Sequence, residues 1–243
     1  MKSTISISTG LIYKFYSDRN EMIEILSKFN PDGIELSFFD STIILNFEIN
    51  EKSIAYLKTL QHVSIHAPWK NITYEDSEHC HKVLQAIEKL ARKIDAKVVV
   101  IEREQIKDFN VFNGYNLPFA IENDDWRKET DAKTIEDVGK ILEINPALGF
   151  CLDVAHAMTI RENFEYANAF IEKNGQRISQ VHTSMIDRTM SDHTFLCEYD
   201  NEKLREMIRK IKSLQVPIVL EAVALSEGEI NNIKKEIEYI RNI

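Results

Sequence analysis

Gly149-Phe150-Cys151-Leu152-Asp153 is a short apolar run that stops on a carboxylate. A run of that length and composition reads as a buried strand. A carboxylate at its end is expensive to desolvate unless something charged meets it. Outward from this stretch the same design recurs. Phe119-Ala120-Ile121 closes on Glu122, Ile178-Ser179-Gln180-Val181 on His182, Ile218-Val219-Leu220 on Glu221, and Val63-Ser64-Ile65 on His66. Two further runs end on acids, Gly33-Ile34-Glu35 and Val98-Val99-Val100-Ile101-Glu102. Such residues at the same end of successive strands converge on one point, and in a barrel of parallel strands that point is the catalytic face.

The whole chain alternates between such runs and amphipathic segments. Strands are expected near 4–8, 33–38, 63–66, 97–102, 118–122, 149–153, 178–182 and 217–221. Helical patterns lie near 20–29, 54–60, 77–93, 134–143, 163–173, 203–214 and 226–240. Within 77–93, Val83, Leu84, Ile87, Leu90 and Ala91 fall on one helical face. Ser226 to Glu229 has the form of a capping box.

Parallel neighbours require crossover connections, so eight strands separated by helices predict a single (β/α)8 TIM-barrel domain over residues 1–243. One unit departs from the pattern. Between Glu102 and Pro118 only a loop fits, and Asn110, Asn113, Gly114 and Asn116 disfavour helix, so the helix after the fourth strand is expected to be reduced or missing. A doubly wound open sheet is the runner-up, but no Gly-rich βα turn of the dinucleotide-binding kind follows any strand.

Composition narrows the classes further. The chain has 243 residues, 44% hydrophobic and 28% charged, with net charge −9. That balance argues against a nucleic-acid backbone as the main partner, which needs clustered Lys and Arg. No apolar run approaches the ~20 residues of a membrane span. Cys80, Cys151 and Cys197 have no paired spacing, and Met1-Lys2-Ser3-Thr4 carries no apolar signal stretch. The expectation is a cytoplasmic protein without disulfides.

Taken singly, a strand-end acid is better read as solvated or salt-bridged. Taken together, Glu122, Asp153, His182 and Glu221 supply three carboxylates and one imidazole, a mix suited to Mn, Mg, Co or Zn rather than to a thiolate-bound ion. His79-Cys80-His81 is set aside, because i and i+2 on a helix diverge. The Lys/Glu-rich C-terminal helix reads as a solvated face.

The segments Val63 to Trp69, Pro118 to Asn123, Gly149 to His156, Val181-His182 and Pro217 to Ala222 resemble the xylose isomerase-like TIM-barrel superfamily. It contains sugar isomerases, ketose 3-epimerases and endonuclease IV. The motifs run from the third strand to the last, and their order and spacing carry the resemblance. It implies that Glu122, Asp153, His182 and Glu221 bind a divalent metal, and that His156 and Arg188 hold substrate as in the ketose epimerases. Against endonuclease IV, the extra ligands resemble His66, His156 and His193. Glu102 and Ser191 depart from that pattern, which argues against a full trinuclear site. His66 and His193 are more than an epimerase requires, and His193 is then expected to line the pocket.

In the epimerase reading, a divalent ion acidifies the carbon between a carbonyl and its neighbouring hydroxyl. Glu122 and Glu221 then form the catalytic pair that exchanges the proton. His66, Trp69, His156, Arg188 and His193 are the candidate substrate contacts, with Trp126 also placed to wall the pocket. The leading expectation is a metal-dependent sugar isomerase or epimerase acting through an enediolate. An endonuclease IV-like phosphodiesterase and a catalytically degenerate ligand-binding barrel are the alternatives.

Overall fold

The computed structural model describes residues 3–161, 164–186 and 193–243. Its strands are β1 (Ile5–Ser8), β2 (Gly33–Ser37), β3 (His62–His66), β4 (Val98–Glu102), β5 (Phe119–Glu122), β6 (Gly149–Asp153), β7 (Ile178–Thr183) and β8 (Ile218–Leu220). All pair in parallel, each with its sequence neighbour, and β1 pairs with β8 to close the barrel. The chain therefore has the TIM-barrel fold, as the alternation of runs and helices predicts.

The helices are α1 (Arg19–Ser27), α2 (Ser41–Asn46), α3 (Glu51–Leu57), α4 (Glu78–Ile94), α5 (Ile135–Ile144), α6 (Val154–Ile160), α7 (Phe164–Asn174), α8 (Glu202–Ser213) and α9 (Asn232–Asn242). Between β4 and β5 there are only two 3-10 turns, Arg103–Gln105 and Phe109–Gly114, so the missing helix is found where the Asn-rich segment foretells it. The helix expected at 77–93 is α4, whose buried stripe includes Val83, Leu84, Ile87, Leu90 and Ala91. Two short helices, α2 and α6, were not expected. Six or seven residues are too few to show a full amphipathic period, and both are instead started by aspartate caps, Asp40 and Asp153. The helix read as 54–60 begins earlier, at Glu51, where Asn50 accepts from the Ser53 amide. The Ser226 box also differs. Glu229 accepts from the Leu225 amide and from Ser226 Oγ, and a 3-10 turn, Glu227–Asn231, precedes α9.

Residues two apart on a strand share a face. Most apolar side chains form one core between barrel and helices, while Val98, Val100, Ala120 and Cys151 form a separate small cluster. The rest of the interior is polar. Glu35 on β2 accepts from Ser64 Oγ on β3 and from Gln180 Nε2 on β7, at 2.9 and 2.8 Å. Strands β2 and β7 are not neighbours, so the Glu35–Gln180 bond crosses the barrel. The His62 ring meets the same Gln180 at 3.0 Å. At Gly33 a Cβ would sit 2.3 Å from Ser6 Oγ and 2.4 Å from the His62 carbonyl, so only glycine fits there. That polar column sits directly under the functional residues.

Candidate metal centre and substrate pocket

The in-phase alternation of β5, β6 and β7 brings their last inward residues together. Glu122, Asp153, His182 and Glu221 each offer one ligand atom, all within 4.8 Å of one another. His182 Nδ1 lies 2.7 Å from Glu122 Oε1 and 3.0 Å from Glu221 Oε2. Glu221 stands one residue beyond β8, with its amide donating to the Thr183 carbonyl, which extends the ladder enough to hold it. Asp153 is fixed twice. Its carboxylate caps α6 through the His156 amide at 2.7 Å, and its backbone exchanges two hydrogen bonds with the Asn123 carboxamide.

Burial would raise the Glu122 carboxyl, but the His182 and His66 rings beside it overcome that and hold it well below the usual carboxylate range. Asp153 is pushed up to about 6, first by burial and then by the Glu122 charge. Glu221 is raised by burial. Burial likewise disfavours a charged His182, yet the surrounding Cys151, Glu221, Glu35 and Glu122 outweigh it and raise the imidazole well above its ordinary value. Three carboxylates thus face one point with a single imidazole among them. Mutual repulsion of this kind is what a bound cation offsets, and an oxygen-rich set with one imidazole suits a divalent ion. The residues present fit such an ion.

His66, Glu122 and His182 also converge within 4.8 Å of one another. The His66 ring lies 5.7 Å from that of His182, with Nε2 3.3 Å from Glu122 Oε2. Its Nδ1 faces the Ala67 carbonyl at 3.1 Å, and His156 Nδ1 faces the Asn123 carbonyl at 2.8 Å. A carbonyl only accepts, so both rings carry a proton on Nδ1. His156 Nε2 is left as an acceptor, whereas His66 Nε2 faces the ionised Glu122 carboxylate and donates to it. His182 is oriented the other way. Its Nδ1 faces the carboxylates, and its Nε2 lies 3.1 Å from Glu35 Oε2 and 2.7 Å from the Gln180 amide.

A cavity of about 300 Å³ opens above, lined by His66, Trp69, Glu102, Glu122, His156, His193 and Glu221 among others. That is the scale of a site for one small molecule. Trp69 stands edge-on to His66 at 5.0 Å, and His193 edge-on to His156 at 5.5 Å. Ser184 Oγ meets His193 Nδ1 at 2.6 Å. Trp126, in contrast, is 44% exposed and does not line the cavity, so its expected place as a wall is not found. Arg188 and Ser191 lie outside the described residues.

Three contributors have partners that local sequence does not reveal. Glu35 was visible as an acid within an apolar run, but nothing in sequence ties it to His182. His62 precedes its apolar run, so its inward place in β3 went unread. Lys128, on the loop after β5, pairs with Glu102 and with Asp124, which occupies the one acid on β4 that reaches the cavity.

With this geometry the chain has the TIM-barrel fold of the solved structures it is similar to. No protein-family model matches the sequence, and no curated protein matches it. Among solved structures the chain is similar to endonuclease IV from Thermus thermophilus, with 12% identity, a TM-score of 0.70, and coverage of 99% of this chain and 100% of that one. It is similar to D-allulose 3-epimerase from Methylomonas sp. in complex with D-allulose, with 13% identity, a TM-score of 0.69, and coverage of 99% and 97%. A probable 3-DHS dehydratase from Bacillus anthracis gives 15% identity, a TM-score of 0.71, and coverage of 99% and 98%. A nuclease, an epimerase and a dehydratase share this scaffold, so the chemistry here has to be argued from the site. No helix among the described residues is long and apolar enough to cross a membrane.

Proposed function

We propose that this protein is a divalent-metal-dependent isomerase or epimerase of a small polyhydroxy carbonyl compound. The observation that carries the reading is the placement of Glu122 and Glu221. Both line one small cavity and both reach His182 Nδ1, at 2.7 and 3.0 Å. Glu122, Asp153, His182 and Glu221 would hold the ion, which when bound supplies positive charge against the oxygens of the substrate. Glu122 and Glu221 act as the proton-transfer pair. One takes the proton from the carbon beside the carbonyl to give an enediolate, and the other returns a proton to it. His156, locked by a backbone carbonyl, presents an Nε2 acceptor to a substrate hydroxyl, and His66, locked likewise, holds Glu122 through Nε2. Trp69 closes the wall beside His66.

The phosphodiesterase alternative is favoured by one observation, the His66, His156 and His193 rings around the same cavity. Against it, Glu102 is engaged with Lys128, and the chain carries net charge −9. A metal count per chain separates the two. One ion supports the isomerase, and three support the nuclease.

The direct test is solvent exchange. Incubated with a panel of ketoses in deuterium oxide, the metal-loaded enzyme should incorporate deuterium beside the carbonyl. Glu221→Gln keeps an oxygen ligand but no proton acceptor, and should retain weakened metal binding while exchange drops roughly 10²–10⁴-fold. Undiminished exchange in that variant would show that the proton travels by another route.

A further inference from the structure

The cavity has a second wall that the metal reading does not use. It is built from the loops after β1, β2 and β3 and the start of α1, and includes Tyr13, Arg19, Phe39 and Lys70. Arg19 is the unusual member. It is only 4% exposed, yet among the described residues no carboxylate lies within ion-pairing distance of its guanidinium. Long cationic side chains are seldom buried without a charged partner.

What holds the guanidinium is neutral. Nε and Nη2 donate to the Ser37 carbonyl, each at 3.2 Å, and Nη1 donates to the Ser17 carbonyl at 2.6 Å. The plane lies 5.5 Å from the Phe38 ring centre and 5.8 Å from that of Phe39. A guanidinium has five N–H donors. These contacts use three, so among the described residues one donor on Nη1 and one on Nη2 stay uncommitted. Burial pulls Arg19 below its ordinary value, and only the Asp18 charge opposes that. Lys70 brings a second cation over the same Phe39 ring, at 5.6 Å.

Position decides what this pair is for. Ser37, the carbonyl under the guanidinium, is the register partner of His66, whose ring faces Glu122. The cations therefore sit beside the strand that carries His66, with the guanidinium two strands from β8 and the Glu221 edge of the carboxylate cluster, in the same cavity. One end of the cavity is rich in carboxylates and fitted to a cation, and the other is a desolvated fork with free donors. An uncharged sugar would leave the fork's charge uncompensated, whereas an oxyanion meets it with charge-assisted bonds.

We infer that the substrate is an anionic sugar derivative, a polyhydroxy chain whose terminal oxyanion is bound by Arg19 and Lys70. The inference rests on the cavity being the substrate site of the proposed enzyme. Carboxylate and phosphate share the chemistry the fork recognises, and a binding experiment tells them apart.

Calorimetric titration of the full chain would compare D-gluconate, D-glucose 6-phosphate and the uncharged D-sorbitol. At least one of the anions should bind about tenfold or more tightly than sorbitol, the scale of a charge-assisted hydrogen bond. The stronger anion identifies carboxylate or phosphate. Arg19→Gln should erase the preference. Lys70→Ala, at an exposed position where folding is not at stake, should cut anion affinity about three- to tenfold and leave sorbitol unchanged. Equal affinity for all three compounds, or a preference that survives both substitutions, overturns the inference. Because binding is read without turnover, the result is separable from the isomerase reading. Anion preference without deuterium exchange sustains the subsite and rejects the enzyme class, while exchange with neutral ketoses and no anion preference does the reverse.

Discussion

The two halves of the barrel mouth are built on different principles. From β5 to β8 the candidate metal ligands leave the strands themselves or the first residue beyond them, as Glu122, Asp153, His182 and Glu221 do. From β1 to β4 the strands end on Ser8, Ser37, His66 and Glu102, and much of the wall comes from loops and a helix start, through Tyr13, Arg19, Trp69 and Lys70. A strand end inherits its position from a ladder of hydrogen bonds on both sides, so it can hold ligand atoms to a fraction of an ångström. A loop residue inherits its position from one or two local contacts and changes readily with sequence. The proposed division of labour follows. The ladder-held half supplies chemistry, and the loop-held half reads the substrate.

The sharpest way to break this contrast is to remove one strand-held ligand. Asp153→Ala should abolish stoichiometric metal in dialysed protein, measured by mass spectrometry, while the circular dichroism stays that of a folded barrel. The variant also loses the α6 cap, a cost of about 1 kcal/mol, which is small beside the stability of a domain this size. Full metal content in the variant would remove Asp153 from the site and leave the ladder-held half without its assigned role.

A smaller effect is expected one layer deeper. If metal takes His182 Nδ1, the proton must sit on Nε2, where Glu35 Oε2 waits at 3.1 Å. Glu35 is fully buried and, among the described residues, its Oε1 has no hydrogen-bond partner, an expense that packing alone does not justify. Glu35→Gln should weaken metal binding about 10–100-fold in competition with a chelator dye, the usual scale for a residue behind a ligand. The metal-free protein should also lose thermal stability, because the substitution removes a buried charge that faces His182. Unchanged metal affinity would mean that Glu35 serves only the interior network with Ser64 and Gln180.

The same contrast explains what could be read from sequence. Glu122 and Asp153 announce themselves, because β5 and β6 are apolar up to their last inward residue and the break in pattern marks the spot. His182 follows Gln180 on the same face and stands out by residue type alone. The helix absent after β4 was equally plain, since Asn110, Asn113, Gly114 and Asn116 each resist helix and act additively. Arg19 carried no such mark. It sits one residue after the Asp18 cap, where a charged residue looks like ordinary helix surface, and only the packing of Phe38 and Phe39 shows that it is buried. Glu35 and Gln180 lie 145 residues apart, and their bond exists only because the barrel closes. Local pattern reports what a strand does to its own residues, and it is silent on what meets across a cavity.

The mildest test concerns how the loop-held half is kept in place. Asp40 caps α2 by accepting from the Thr42 amide at 2.8 Å, and its other oxygen accepts from Asn71 Nδ2 at 2.6 Å. It thereby ties the start of α2 to the loop that carries Lys70, whose carbonyl accepts from the Ser41 amide. These bonds favour the ionised form, the Thr42 amide most, and the Asp40 carboxyl is held below its ordinary value. A carboxyl with a depressed folded-state pKa contributes stability that is present above the unfolded value, near 3.9, and is lost as pH falls through the folded one. Asp40→Ala should therefore lower the thermal midpoint by about 2–4 °C at pH ~6, the scale of a lost cap in a chain of this length. The gap between the two proteins should narrow as pH drops below about 4, because the parent then loses the same ionised acceptor. A gap that stays constant from pH ~6 to ~3 would show that the charge adds nothing and that the backbone alone holds the loop. In that case the cationic wall owes its placement to strand-derived hydrogen bonds, and the two halves of the mouth differ less than their residues suggest.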